Sequence, residues 1–79
     1  MTAATVLYFA SLRDAAGVDR EAVAFDGDLR ALYAALRTRH GFALPIERVR
    51  VAVDGAFAHW DDVPHDGAEI AFIPPVSGG

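Results

Sequence analysis

Residues 28–41 read Asp28-Leu29-Arg30-Ala31-Leu32-Tyr33-Ala34-Ala35-Leu36-Arg37-Thr38-Arg39-His40-Gly41. Leu29, Leu32, Tyr33 and Leu36 recur at i, i+3, i+4 and i+7, which puts four apolar side chains on one stripe of a helix. Asp28 supplies an N-cap, a carboxylate that accepts from the unpaired N–H groups of the first turn. Arg37, Arg39 and His40 place positive charge in the last turn, where the helix dipole favours it. Gly41 can take the left-handed conformation that ends a helix. The spacing predicts one long helix over Leu29–His40.

Most of the flanking sequence reads as strand. Thr5–Ser11 is rich in β-formers (Val6, Leu7, Tyr8, Phe9) and reads as a central strand. Leu12–Ala16 reads as a short helical turn closed by Gly17. Glu21–Phe25 is a second strand, pairing back on the first. Beyond the helix, Pro45 bars regular structure across Phe42–Glu47. Arg48–Val53 alternates, with Val49, Val51 and Val53 on one face and Arg50 and Ala52 on the other. Asp54-Gly55 is the strongest hairpin signal in the chain, and the return strand runs from Ala56 to near Trp60. Asp61–Asp66 is a polar loop containing Pro64. Gly67 makes a turn, and Glu69–Ile73 is the last strand, stopped by Pro74.

The order is β, β, α, β, β, β. A single long helix can cover only one face of a sheet, so the expected architecture is two-layer α+β. With the last strand central, that describes a ubiquitin-like β-grasp, a mixed sheet of about five strands packed on one main helix. Ferredoxin-like folds need two helices, and a closed barrel leaves this helix unexplained. The expected division is a β-grasp domain over 1–75 and an extended, flexible Gly-Gly tail over 76–79.

Seventy-nine residues make one domain. With 53% of them hydrophobic, the chain can fill a core and still leave apolar surface for a partner. There is no cysteine, which excludes disulfides, thiolate metal sites and cysteine nucleophiles. That absence fits the cytosol better than secretion. The N-terminus has no signal-peptide pattern, and no apolar run is long enough to cross a bilayer. The expected location is therefore cytoplasmic, with no membrane partner. Net charge is −4, and the basic residues are scattered arginines without a lysine, so no nucleic-acid surface is expected.

The body of the chain offers little chemistry. His40, His59 and His65 are dispersed. His59 and His65 flank Trp60, Asp61 and Asp62, but at no spacing that matches a metal-ligand motif. Asp61, Asp62 and Asp66 read as solvated loop and turn residues. Ser11 and Ser77 have no histidine partner at motif spacing. No glycine-rich loop joins a strand to a helix to cradle phosphate. No metal site and no bound cofactor are expected.

The chemistry falls on Ile73-Pro74-Pro75-Val76-Ser77-Gly78-Gly79. The prolines lack N–H groups and have fixed φ, so they stop strand pairing and stiffen the base of the tail. Glycines without side chains let backbone enter a narrow cleft. The four residues beyond Pro75 reach roughly 13 Å at about 3.3–3.6 Å each. Pro75, Val76, Ser77 and Gly78 read as a segment inserted into a partner, and Gly79 as the reactive carboxylate at its tip.

A sheet covered on one face should alternate apolar inward and polar outward. Glu69 must face water, so Ile70 and Phe72 point at the helix and Ile73 points out. Phe57 shares a face with His59, read as solvated, and so also points out. In the first strand both faces are apolar, so one of the pairs Leu7/Phe9 and Val6/Tyr8 must lie outward; Leu7 and Phe9 are preferred there, with Tyr8 toward the core. Phe9, Phe57 and Ile73 are predicted to form a partner-binding patch around the root of the tail.

Val6–Arg13 (VLYFASLR), Val51–Asp54 (VAVD) and above all Asp66–Gly79 (DGAEIAFIPPVSGG) resemble the small, sulfur-carrier subunits of molybdopterin synthases, which are ubiquitin-like. The resemblance covers nearly the whole chain. The sulfur carrier of thiamine synthesis shares the fold and the Gly-Gly, but is generally shorter and lacks the proline pair. The resemblance implies a subunit that is not catalytic on its own. An ATP-dependent adenylating enzyme, of the kind that activates ubiquitin, would adenylate the Gly79 carboxylate. A sulfurtransferase would serve as sulfur source for its conversion to a thiocarboxylate. The tail would then enter the large catalytic subunit and give sulfur to cyclic pyranopterin monophosphate, in a heterotetramer of two carriers on a dimer of large subunits. Arg13 sits where that family commonly has arginine. Two other readings stay open: a protein modifier conjugated through Gly79, and a β-grasp interaction module with an inert tail.

Overall fold

The computed structural model describes residues 1–75. The elements are β1 (Thr2–Tyr8), α1 (Ala10–Ala16), β2 (Arg20–Phe25), α2 (Leu29–His40), a 3-10 turn at Ile46–Arg48, β3 (Arg50–Val53), β4 (Ala56–Phe57) and β5 (Ala68–Ile73). The predicted tail residues Val76, Ser77, Gly78 and Gly79 lie outside the described residues, and so does the domain boundary drawn before them.

The sheet order is β2-β1-β5-β3-β4. β5 is central, parallel to β1 and antiparallel to β3. The outer pairs β1–β2 and β3–β4 are antiparallel hairpin partners. This is the expected α+β grasp: a mixed five-stranded sheet, with α2 packed across one face. Leu29, Leu32, Tyr33 and Leu36 are all buried, as are Val6, Tyr8, Val51, Ile70 and Phe72 from the sheet. Tyr33 lies edge-on to Phe72, with ring centroids 5.2 Å apart. Interlocking aromatic and aliphatic side chains of this kind supply most of the burial that a domain of this size needs.

The ends of α2 form as the sequence predicts. Asp28 Oδ1 accepts the Ala31 N–H at 2.9 Å. Gly41 has φ 74° and donates its N–H to Arg37 O. Two further first-turn donors are met from outside the helix: Leu29 N–H by Asp62 O and Arg30 N–H by Trp60 O, each at 3.0 Å. Buried helix ends need such partners.

That docking explains the main departure from expectation. The return strand does not reach Trp60 but ends at Phe57. The chain then folds back so that the carbonyls of residues 60 and 62 cap α2. The Trp60 ring stacks on Phe72, at 5.9 Å and 14°. Phe57 and His59 therefore do not share a strand face. Phe57 is outward all the same, at 64% exposure.

Other bounds shift too, and β2 and β5 each begin one residue earlier than expected, at Arg20 and Ala68. β1 runs Thr2–Tyr8, not Thr5–Ser11, because β2 pairs with it as far back as Thr2. The short helix starts at Ala10, with Phe9 as its N-cap residue. Residues 48 and 49 fall outside β3, since the 3-10 turn runs through Arg48. Asp61, Asp62 and Asp66 are exposed, but they are not merely solvated. Asp61 pairs with Arg30 at 2.9 Å, Asp62 accepts the His59 N–H at 3.0 Å, and Asp66 accepts the Ala3 N–H at 2.7 Å. Among the described residues no helix is long and apolar enough to cross a membrane.

Candidate functional site

The face of the sheet away from α2 carries a shallow hollow, lined by Leu7, Phe9, Ala52, Gly55, Phe57, Glu69, Ala71 and Ile73. Strand register shows how it arises. Leu7 pairs with Ala71, Ala71 with Ala52, and Ala52 with Phe57. One row across four strands thus reads large, small, small, large. Two alanines make a low floor between Leu7 and Phe57, because paired residues on one face are cross-strand neighbours.

The tail root borders this floor. Ile73 ends β5 opposite Arg50, and Pro74 and Pro75 come next, without N–H groups to extend the pairing. Phe9 sits just past the end of β1, which runs parallel to β5, so Phe9 and Ile73 lie at the same end. Ala10, with φ 50°, makes the sharp bend there. A left-handed non-glycine residue is strained, and this one turns the chain out of β1 as Phe9 reaches the rim. Phe57 is held by Arg50, whose guanidinium carbon lies 4.3 Å from the ring centroid. The structure thus brings the three predicted patch residues, Phe9, Phe57 and Ile73, around one hollow. Pro75 is exposed beside it, and the reactive tip predicted at Gly79, with Val76, Ser77 and Gly78, lies outside the described residues.

The β3–β4 turn closes the other end. Asp54 and Gly55 both have positive φ, 51° and 87°, the geometry that an Asp-Gly hairpin favours. Asp54 Oδ1 accepts the Glu69 N–H at 2.9 Å, and Oδ2 lies 2.6 Å from His65 Nε2. His65 Nδ1 lies 2.9 Å from the Asp66 carbonyl. Both neighbours only accept, so the imidazolium satisfies both contacts at once. The Asp54 carboxylate, then the Asp66 carbonyl, push the His65 pKa up. The Glu69 N–H, then His65, hold the Asp54 carboxyl below its ordinary range.

A second polar cluster is not evident from the sequence motifs. Tyr8 Oη donates to Glu21 Oε1 at 2.7 Å, and His40 Nε2 lies 3.0 Å from the same oxygen. Arg39 Nη2 stands 3.4 Å from Oε2. The Tyr8 hydroxyl, ahead of His40 and Arg39, draws the Glu21 pKa down. Burial, then Glu21, pushes the Tyr8 phenol up. This cluster ties the last turn of α2 to β2 beneath the sheet, away from the hollow. The signal that could have found it is parity: Glu21 shares its strand face with Val23 and Phe25 and so points inward. His40 serves this contact as well as the helix dipole. Among the described residues no group of three or more His, Asp and Glu side chains is placed to hold a metal ion.

Known proteins share the sequence and the fold of this chain. Over 78 residues the chain is 38% identical to the molybdopterin synthase sulfur carrier subunit of Escherichia coli, an alignment covering 94% of this chain and 96% of that protein. It is 36% identical over 80 residues to the protein of the same description from Homo sapiens, covering 94% and 91%. The fold is similar to that of small archaeal modifier protein 1 from Haloferax volcanii, with a TM-score of 0.80 and 28% identity over 98% of this chain and 99% of that one. The model of the ThiS family matches residues 6–79. From sequence, topology and near-complete coverage together, the chain belongs to the ThiS family.

Proposed function

We propose that the chain is the sulfur carrier subunit of a molybdopterin synthase, acting in molybdenum cofactor biosynthesis. The observation that carries this reading is the identity of 38% and 36%, over nearly the full length of each, to two proteins bearing that description. The proline pair before Gly78-Gly79 supports it.

The chemistry starts from the tip. A carboxylate is a poor electrophile because it has no good leaving group. Attack of the Gly79 carboxylate on the α-phosphorus of ATP expels pyrophosphate and leaves an acyl-adenylate. The adenylating enzyme binds that ATP; the carrier binds no cofactor. A sulfur nucleophile supplied through a sulfurtransferase then attacks the acyl carbon, and AMP departs with the oxygen. The resulting thiocarboxylate sulfur is an accessible nucleophile. Pro75, Val76, Ser77 and Gly78 thread the tail into the large catalytic subunit. There the thiocarboxylate sulfur attacks a carbon of cyclic pyranopterin monophosphate and displaces an oxygen substituent. Water then cleaves the acyl carbon–sulfur bond, which leaves the sulfur on the product and returns the Gly79 carboxylate. A dithiolene holds two sulfurs, so two carrier turnovers serve each product. In this reading the carrier's own task is to dock and extend. Phe9, Phe57 and Ile73 form the docking patch.

Intact mass after co-expression with an adenylating enzyme and a sulfur source tests the reading. The expected product has one terminal oxygen replaced by sulfur. An unchanged mass, with the adenylating enzyme shown to be active, would overturn it. The similarity to an archaeal modifier protein favours one second reading, in which Gly79 is joined to lysines of other proteins. Conjugates of the chain on other proteins in the same cells would support that instead.

A further inference from the structure

The apolar hollow shares Leu7 and Phe9 with a second recess, whose remaining lining is Tyr8, Arg13, Asp19 and Arg20. Leu7 and Phe9 thus form a ridge between an apolar floor and a charged one. Arg20 stands opposite Leu7 in the β1–β2 pairing, and Arg13 reaches the recess from α1. Both side chains are exposed. Arg30 pairs with Asp61, Arg39 pairs with Glu21, Arg37 donates to the Phe42 carbonyl and Arg50 lies over Phe57. Among the described residues, Arg13, Arg20 and Arg48 make no such contact, and of these three Arg13 and Arg20 line the recess. Among the described residues of the lining, Asp19 is the one carboxylate against two arginines, so the recess carries a positive excess on a chain of net charge −4.

We propose that this recess is a carboxylate-binding subsite of the docking face. The protein partner that seats an apolar side chain on the Ala52–Ala71 floor also places an acidic side chain between Arg13 and Arg20. The proposal rests on the reading of the chain as a carrier that docks on the large synthase subunit. Its physical basis is orientation. An apolar plug in a shallow hollow is non-directional and leaves the carrier free to rotate about the contact. A charged contact to one side of the plug removes that freedom, since complementary charges fix register and speed encounter. The planar guanidinium fork suits a carboxylate better than a point charge does. The subsite lies on the β2 side, away from the hairpin turn, so the two contacts together set the direction in which the tail leaves Ile73.

The test is titration of the full chain into the large subunit at several ionic strengths, with far-UV circular dichroism to check the fold of each variant. The double variant Arg13→Glu/Arg20→Glu is expected to bind about tenfold more weakly or worse, with a flatter dependence on salt. Arg13→Lys/Arg20→Lys keeps the charge and recovers most of the affinity. Arg48→Glu, on the 3-10 turn beside α2, makes a charge reversal outside the recess and changes affinity by less than about twofold. Wild-type-like binding and salt dependence in the Glu double variant would overturn the subsite alone. Equal weakening by Arg48→Glu would overturn it too, by reducing the effect to net charge. Failure of the wild-type chain to bind the large subunit would instead remove the functional reading, and the subsite with it.

Discussion

Ala71 offers a way to separate docking from folding. It lies in the middle of the central strand on the open face, between Leu7 and Ala52. Ala71→Leu adds three carbons above the floor of the hollow and nothing to the core beneath. Full burial of those carbons would contribute up to about 2.4 kcal/mol at about 0.8 kcal/mol each. The hollow is open, so about half of that is realised, roughly 1.2 kcal/mol. Ordering a leucine side chain costs about 0.5–1 kcal/mol. The net change in stability is therefore between zero and about 1 kcal/mol in favour of folding. Docking moves the other way. The added side chain occupies the space that the partner's apolar group would fill, and overpacking of a fitted contact costs about 1–3 kcal/mol. That corresponds to roughly 5- to 150-fold in Kd. Urea denaturation reads the first quantity, and titration calorimetry against the large subunit reads the second. A variant that stays folded and binds like wild type would refute the assignment of this hollow as the docking surface. A stability loss above about 2 kcal/mol would show that position 71 is packed rather than open.

The core and the hairpin clasp can be tested separately. Phe72→Ala removes a fully buried ring in contact with Tyr33 and Trp60 and should cost about 3–5 kcal/mol in urea denaturation; a loss below about 2 kcal/mol would mean that the core is not centred there. His65 should titrate above the ordinary histidine value of about 6.5, because Asp54 and Asp66 hold its charged form. Linkage gives the sign: the contribution of the clasp is complete below that ordinary value and fades as pH rises through the raised one. NMR titration of the ring should show the midpoint falling in Asp54→Asn, and an unchanged midpoint would remove the clasp.

Much of this protein is legible in its pattern of residues. The α2 stripe and both its caps depend on neighbours within one or two turns, so local spacing suffices to place Leu29–His40. The Asp54-Gly55 turn is likewise a local matter of positive φ. Inward Ile70 and Phe72 come from the two-residue period of a strand once Glu69 is set facing water, whereas in the first strand, apolar on both faces, the choice of Leu7 over Val6 as outward needed the structure. The sharp end of β5 needs only a proline.

What escaped the sequence depends on partners distant along the chain. Ala3 and Ala4 have little β-propensity of their own, and pairing with β2 and the start of β5 recruits them and Thr2. The fourth strand stops at Phe57 because α2, formed far earlier in the chain, needs the carbonyls of Trp60 and Asp62. Glu21, Tyr8 and His40 meet only when β1, β2 and α2 are assembled. The hollow is the clearest case. Ala52 and Ala71 are unremarkable singly, and they become a floor only when register sets them side by side between Leu7 and Phe57. Sequence alone determined the order of the elements, the buried stripe of α2 and the chemistry expected of the last residues, because those depend on short-range periodicity and on the groups that glycine and proline lack. Tertiary structure decided where the apolar hollow lies, because a surface is made by residues that strand pairing, rather than chain order, makes neighbours.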